Sequence, residues 1–496
     1  MTKVNMLLIA YYSLISLFPL AHAEKGRQIV YPRMLESRAE DGLKVVKITN
    51  DITLNLRKAS VFPDEFFIHS TKDGVPIRYH MLAADVEKNL YEDAEQMASV
   101  NIFEEDDLSI EGVLGHTLRI KALPKMQRSA DGRTPHMLYE VANPPYQAQS
   151  LTDYAIPNVS DSSFYVESRF LWPTRPRLPV MIHPEVHVVA DYVFCQELKF
   201  DKKKIAMYIA IMTNSANFRF RSMIQPRVQL KVVGITVTET VSDEKYIVHE
   251  EAYRATNVIL YGPTIEKFRT HVQDHAYFGN ADIVFLITGR NMSYWENGAL
   301  KHWIGGFAYL GGACTSWRVG MSEESVGSYY GVFVYGHELA HTLGCAHDGD
   351  AARDWPIGHI GSKDCPFEQG YMMSYKFVKP FMYMFSSCCQ REVMNLYNRE
   401  QYQCLLYERK LHTKIHSNQL PGYVSSRDTY CKKVYYDYKD VKADKTYHDR
   451  ICIVKCFINK QGDNMLISAV DGVKCGSNKV CIVGNCTMKK KVDLAE

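Results

Sequence analysis

The sequence predicts an α/β chain: a three-layer domain on a mostly parallel, twisted sheet, preceded by a mostly β unit and followed by a small disulfide-rich module. Three observations predict it. From Pro184 onward, β-type runs alternate with helical ones, the order that lays helices over both faces of a parallel sheet. The region before residue 179 has no cysteine and shows short alternating patches instead of helical periods. Of the 13 cysteines, six fall between Cys431 and Cys486, a density that reads as a stapled module. The 496 residues are 46% hydrophobic and 23% charged, ordinary globular composition. The length allows roughly two to four compact units. The 58 basic and 56 acidic side chains leave a net +2, so charge gives no reason to expect a nucleic-acid partner.

The elements follow in order. Lys3, an apolar run from Met6 to Leu20 and then Ala21-His22-Ala23 form a signal-peptide pattern over residues 1–23. The run is shorter than the roughly 20 apolar residues of a spanning helix, and no later stretch is longer. A secreted, extracellular product without a membrane span is expected. Residues 24–178 form the mostly β unit, with strands at Lys44-Val45-Val46-Lys47-Ile48 and His116-Thr117-Leu118-Arg119-Ile120. The stretch Trp172-Pro173-Thr174-Arg175-Pro176-Arg177-Leu178-Pro179 cannot enter a helix or central strand, and reads equally as a plain linker or a processing site.

Residues 179–410 make the α/β domain. Strands are expected at 185–191, 228–238 and 282–288, helices at 204–217 and 264–274, and a glycine-rich edge strand at 303–314, where another backbone can approach closely. Residues 411–496 form the tail. Cys475, Cys481 and Cys486 lack the paired C-x2-C spacing of zinc ribbons, so a secreted context favours disulfides. The odd cysteine count leaves one thiol free or paired between chains. Asn158, Asn291 and Asn485 head glycosylation acceptor triplets. Oligomeric state is not legible.

Chemistry is concentrated in His337-Glu338-Leu339-Ala340-His341-Thr342-Leu343-Gly344-Cys345-Ala346-His347, an H-E-x-x-H-x-x-G-x-x-H array. Residues four apart on a helix stack one turn above each other, so His337 and His341 can chelate one ion. Gly344 tolerates the left-handed conformation that ends a helix and lets His347 return as a third ligand. Three neutral imidazoles favour zinc and leave a fourth position for solvent, the arrangement of a catalytic site. Glu338, one step round the helix, is placed to act as general base on that solvent. By composition, H-E-x-x-H arises by chance in about 4% of such chains, and the extended array in about one in 10⁴.

The extended motif resembles that of the metzincin metalloproteases, and its surroundings are similar to the reprolysin-type, adamalysin-like branch. Asp348 resembles the aspartate after the third histidine there, with a structural role. Gly370-Tyr371-Met372-Met373-Ser374 resembles the Met-turn, with Met373 the better match beneath the metal. Pro184-Glu185-Val186 and residues 282–289 resemble catalytic strands. Leu118-Arg119-Ile120 and Pro135-His136 resemble reprolysin propeptides. Gly344-Cys345, Met373-Ser374-Tyr375 and Phe385-Ser386-Ser387-Cys388-Cys389 are similar to tick salivary metalloproteases.

The resemblance implies a metzincin-type fold and a zymogen in which residues 24–178 are the propeptide. Its activity would be zinc-dependent endoproteolysis of extracellular proteins such as fibrin, fibrinogen or matrix components. It further implies a Cys314–Cys404 disulfide and a calcium ion near Glu185, Asp282 and Cys404, although Tyr407 stands where the family often offers an amide. The partners of Cys345, Cys365, Cys388 and Cys389 are not legible. In the tail, Leu420-Pro421-Gly422, Asp471-Gly472-Val473-Lys474-Cys475-Gly476 and Cys481-Ile482-Val483-Gly484-Asn485-Cys486 look like the cysteine-rich module of thrombospondin-repeat-containing ADAM relatives. That implies substrate docking, against an equal reading as a passive stabilising domain.

Two departures matter. Reprolysins usually have proline where this chain has Tyr375; astacin- and serralysin-like enzymes resemble it in placing a tyrosine there. Its phenol could bind the ion or the oxyanion, or the ring could simply pack in the pocket wall. No cysteine precedes Cys195, so the thiolate by which many ADAM-type propeptides hold latency is absent from residues 24–178. Blocking by bulk, or by a carboxylate or histidine, is expected instead. A substrate peptide would run antiparallel along the 303–314 edge. The rival function is a secreted binding protein that acts through its tail, with proteolysis dispensable.

Overall fold

The computed structural model describes residues 24–37, 43–72, 74–105, 107–141, 153–157, 181–252, 257–279, 281–302, 305–406, 426–435, 438–447, 452–469, 473–477, 479–482 and 485–488. The signal-peptide pattern, the 172–179 stretch, Asn158 and residues 420–422 lie outside them. Among the described residues no helix is long and apolar enough to cross a membrane.

Eleven strands form the main sheet. In chain order they are β1 (Glu65–Lys72), β2 (Val75–Leu82), β3 (Tyr154–Ala155), β4 (Glu185–Ala190), β5 (Lys231–Val237), β6 (Ile283–Thr288), β7 (Gly306–Tyr309), β8 (Val319–Glu323), β9 (Lys442–Ala443), β10 (Ile453–Phe457) and β11 (Asn464–Ser468). Across the sheet they run β3-β7-β8-β6-β4-β5-β1-β2-β11-β10-β9. The centre is parallel, from β8 through β6, β4 and β5 to β1. The β1–β2 hairpin, the β7–β8 pair and the tail strands among themselves are antiparallel, so the sheet as a whole is mixed, while among its strands from 179–410 every pairing but β7–β8 is parallel. The departure comes from outside 179–410: β1 and β2 precede it and β9–β11 follow it. The β1–β2 hairpin therefore stitches the tail to the α/β core, through β5 on one side and β11 on the other.

Both faces of the central strands are buried. Ile283, Phe285 and Ile287 of β6 share one apolar cluster with helices α1 (Lys202–Phe220) and α3 (Gly331–Thr342). Val284 and Leu286, pointing the other way, share a second with α2 (Tyr261–Asp274). Asp201 caps α1 by accepting from the Lys203 and Lys204 amides at 3.1 Å each. From Ile205 to Phe220 every residue of α1 is buried: Ile205 to Met212 are apolar all round, and beyond them Asn214, Asn217 and Arg219 are buried with hydrogen bonds to Ser99 Oγ and the Leu230 and Ser215 carbonyls. Its outer side is covered by a nine-stranded antiparallel sheet drawn from between Glu24 and Val141.

Two expected strands are shorter. The 228–238 run splits: Arg227–Val228 pairs with Met181–Ile182, and only Lys231–Val237 enters the main sheet. Among the described residues of the 303–314 edge, strand is confined to Gly306–Tyr309, and a turn closes after it from the Gly312 amide to the Tyr309 carbonyl at 3.0 Å.

Six disulfides are present: Cys314–Cys404, Cys345–Cys389, Cys365–Cys388, Cys431–Cys456, Cys452–Cys481 and Cys475–Cys486. The number fits an extracellular protein. Cys195 is the free thiol; it is buried, and burial pushes its pKa up, which makes it unreactive.

Candidate metal centre

Helix α3 carries His337, Glu338 and His341 and is buried along its whole length. It ends where Gly344, at φ +97°, turns the chain, with the Gly344 amide on the His341 carbonyl at 2.9 Å and the Cys345 amide on the Ala340 carbonyl at 3.0 Å. The turn brings His347 back beside the helix. Ring centroids of His337, His341 and His347 lie 4.7–5.4 Å apart.

The tautomers follow from the partners. His337 Nδ1 is 2.7 Å from the Met372 carbonyl and His341 Nδ1 is 2.6 Å from the Cys345 carbonyl. A carbonyl only accepts, so both Nδ1 atoms carry the proton and each neutral ring is left with a lone pair on Nε2. Those Nε2 atoms face each other at 3.1 Å. Two lone pairs so close repel unless a cation lies between them. Four ligands around a zinc ion with bonds of about 2.0–2.1 Å stand about 3.3 Å from one another, so the donor set fits zinc.

The fourth member of the cluster comes from far upstream. Asp153 places Oδ1 3.2 Å from His341 Nε2 and 3.0 Å from His347 Nε2, and Oδ2 3.2 Å from His337 Nε2. All four residues are buried and their ligand atoms lie within 4.8 Å of one another. Burial works against the Asp153 charge, but its surroundings, the neighbouring His347 first among them, outweigh it and hold the carboxyl well below the usual range. Burial lowers the His341 imidazole to about 4; for His347 the neighbouring Asp153 carboxylate overcomes burial and raises it.

Glu338 is 1% exposed, and its Oε2 has no hydrogen-bond partner. Burial, then the Asp153 charge, push its pKa well above the ordinary carboxylate value. It packs against the edge strand at Gly306, where a Cβ would come within 2.5 Å of the Glu338 Cγ; only glycine admits the carboxylate there. Tyr375 donates its phenolic proton to Asp153 Oδ2 and lies 3.2 Å from His347 Nε2, so the phenol points at the centre instead of packing in a wall.

Asp348 accepts from Ser386 Oγ at 2.6 Å, and its amide donates to the Met373 carbonyl at 2.9 Å, tying the third histidine to the 370–374 turn. Burial raises the Asp348 carboxyl to about 6. Met373 is fully buried in the core beside α3.

The residues named for calcium also meet. Asp282 Oδ2 accepts from the Glu185 amide at 3.0 Å and lies beside the Cys314–Cys404 disulfide. Sulfurs bonded to each other offer no thiolate, so Cys404 is not an ion ligand in this state. The same holds for the cluster of Cys452, Cys475 and Cys486. Asn291 begins a strand, Asn291–Glu296, and is half-buried; Asn485 begins another, Asn485–Met488.

Sequence reasoning did not find Asp153 or Tyr154, and it reached Gly306 only as part of the glycine-rich 303–314 edge. The only prior signal for the first two was negative, the lack of a cysteine before Cys195.

Comparison with known proteins adds the following. Residues 184–386 match the family described as Reprolysin_5, Metallo-peptidase family M12. Venom metalloproteinase BumaMPs1 of Olivierus martensii is 27% identical over 424 residues, covering 81% of this chain and 97% of that protein. Venom metalloproteinase antarease-like TtrivMP_A of Tityus trivittatus is 25% identical, covering 80% and 98%. Among solved structures, metalloproteinase-II from Bacteroides fragilis aligns at a TM-score of 0.37 and 11% identity, covering 78% of this chain and 94% of that one, too low to bear on the fold.

Proposed function

Because the chain is a reprolysin-type M12 metalloendopeptidase, we propose that it is the secreted precursor of a zinc enzyme in which Glu338 activates water against peptide bonds of extracellular proteins. The observation that carries this is the pair of Nε2 lone pairs facing each other on one helix, with a third imidazole alongside. We assign residues 1–23 as signal peptide, 24–178 as propeptide, 179–410 as catalytic domain and 411–496 as cysteine-rich tail. The family match at 184–386 and the six disulfides support that division and the extracellular setting.

A zinc ion held by His337, His341 and His347 would supply a Lewis acid for the scissile carbonyl and acidify a water molecule towards a pKa of about 7. Every other role falls to the chain. Gly306–Tyr309 offers its backbone edge to an extended peptide. Glu338, whose one carboxylate oxygen is unpartnered, takes the proton of the attacking water and passes it to the leaving amine. The Tyr375 phenol donates a hydrogen bond to the developing oxyanion. Asp348 and Met373 position the third histidine and the floor of the site. Fibrin, fibrinogen and matrix proteins are the substrate class we propose, on the motif resemblance to tick salivary enzymes alone. Calcium at Glu185 and Asp282 and glycans at Asn158, Asn291 and Asn485 belong to the same proposal.

The test is to incubate the mature enzyme with a mixed plasma and matrix protein panel and sequence the new termini. Cleavage should stop with a chelator and return with zinc; chelator-resistant cleavage, or none at all, overturns the proposal. Tyr375→Phe should lower kcat by about 10²-fold with KM little changed, as loss of one oxyanion donor does. Unaltered kcat would return the ring to a packing role.

A further inference from the structure

We propose that Asp153 is the fourth ligand of the metal in the precursor, and that residues 153–155 are a latch that fills the cleft in the direction opposite to a substrate. The proposal rests on the zinc-enzyme reading and gives it a mode of latency. No thiolate is available before Cys195, so a group other than sulfur must hold the site closed.

The chemistry of the cluster requires it. Oδ1 and Oδ2 of Asp153 lie 3.0–3.2 Å from all three Nε2 atoms. For His337 and His341 the only ring proton of the neutral form is already given to a carbonyl, so neither can donate to the carboxylate. Lone pairs then face an anion on several sides, an arrangement that a divalent cation among them turns from repulsion into coordination. The carboxylate stands at the corner that three histidine ligands leave open, where water must enter for hydrolysis. The Tyr375 hydroxyl, instead of waiting for an oxyanion, is spent on the same carboxylate.

The flanking backbone makes the block steric as well. Strand β3 pairs parallel with the edge strand β7, Tyr154 opposite Ala308 and Ala155 opposite Tyr309. The Ala308 amide donates to the Asp153 carbonyl at 3.1 Å and the Leu310 amide to the Ala155 carbonyl at 2.9 Å. These are the groups an antiparallel substrate would use, taken by a strand running the other way, so its peptide bonds meet Glu338 in reverse. Tyr154 fixes the register. Its ring lies 4.6 Å from that of His341, and its hydroxyl donates to Asp350 at 2.6 Å while accepting from Arg353 at 3.1 Å. Further upstream, Arg119 donates to the carbonyls of Ser328 and Tyr329 at 2.7 and 3.1 Å, holding the N-terminal sheet to the loop before α3.

The experiment compares full-length precursor with Asp153→Ala and Asp153→Asn, each loaded with cobalt(II) in place of zinc. If Asp153 is a ligand, the visible cobalt spectrum changes in position and intensity in both variants. A latch closed in all but about 1% of molecules makes a peptide hydroxamate bind wild type about 100-fold more weakly than the Ala variant. Superimposable spectra with equal hydroxamate affinity overturn the latch. Asp153→Asn keeps the side-chain volume, so it carries the same test should the alanine variant fold poorly. The two readings fail separately. Changed spectra in a variant that cleaves no protein leave Asp153 a ligand and sink the protease; chelator-sensitive cleavage by mature enzyme with unchanged spectra does the reverse.

Discussion

Replacing Glu338 by Gln should lower kcat by about 10²–10⁴-fold while the protein keeps its full complement of zinc. The substitution preserves volume and leaves the three imidazoles and their carbonyl partners at Met372 and Cys345 untouched. It removes only the group that can hold the water's proton. Turnover of a quenched peptide, read beside metal content by elemental analysis, checks it. Normal turnover would show that Glu338 is not the base; lost metal would show that its effect is structural. The same variant separates the enzyme from the rival binding protein: a biological effect that survives Glu338→Gln resides in the tail.

The second large effect concerns stability. Arg290, Asp191 and Glu244 form an ion cluster whose side chains are 2%, 0% and 1% exposed. Arg290 donates to Asp191 at 2.6 Å and to both Glu244 oxygens; Asp191 also caps the helix Tyr192–Glu197 through the Phe194 amide at 2.8 Å. Burial and the Asp191 charge already raise Glu244 to about 7. Arg290→Met strands two carboxylates without a counter-charge and should cost about 3–5 kcal/mol. Without the guanidinium, Glu244 ionises less readily still, so protonation relieves the repulsion at low pH. The loss should therefore be larger at pH 8 than at pH 5. Calorimetric unfolding at the two pH values measures it. An equal, small shift at both would show the cluster to be hydrated.

Part of this protein is legible because the signals are local. The three histidines, the base and the turning glycine lie within eleven consecutive residues, where helical period and one left-handed position fix their geometry. The alternation of β4, α1, β5, α2 and β6 is legible for the same reason: each element writes its own period into contiguous sequence. The strand expected at 228–238 splits because apolar character says nothing of which partner a strand pairs with, and residues 227–228 pair outside the main sheet. Tyr375 was ambiguous because a tyrosine that packs and one that donates a proton look alike in sequence.

By itself, then, the sequence determined the metal-binding array, the helix that presents it, the class of α/β core and the cysteine-dense tail. Only the tertiary structure decided that Asp153 closes the array from 184 positions before His337, that the β1–β2 hairpin joins core to tail, and how the cysteines other than Cys314 and Cys404 pair. Long-range strand pairing leaves no period along the chain. Its choice rests on the summed burial and hydrogen bonding of segments that meet only once the molecule has folded.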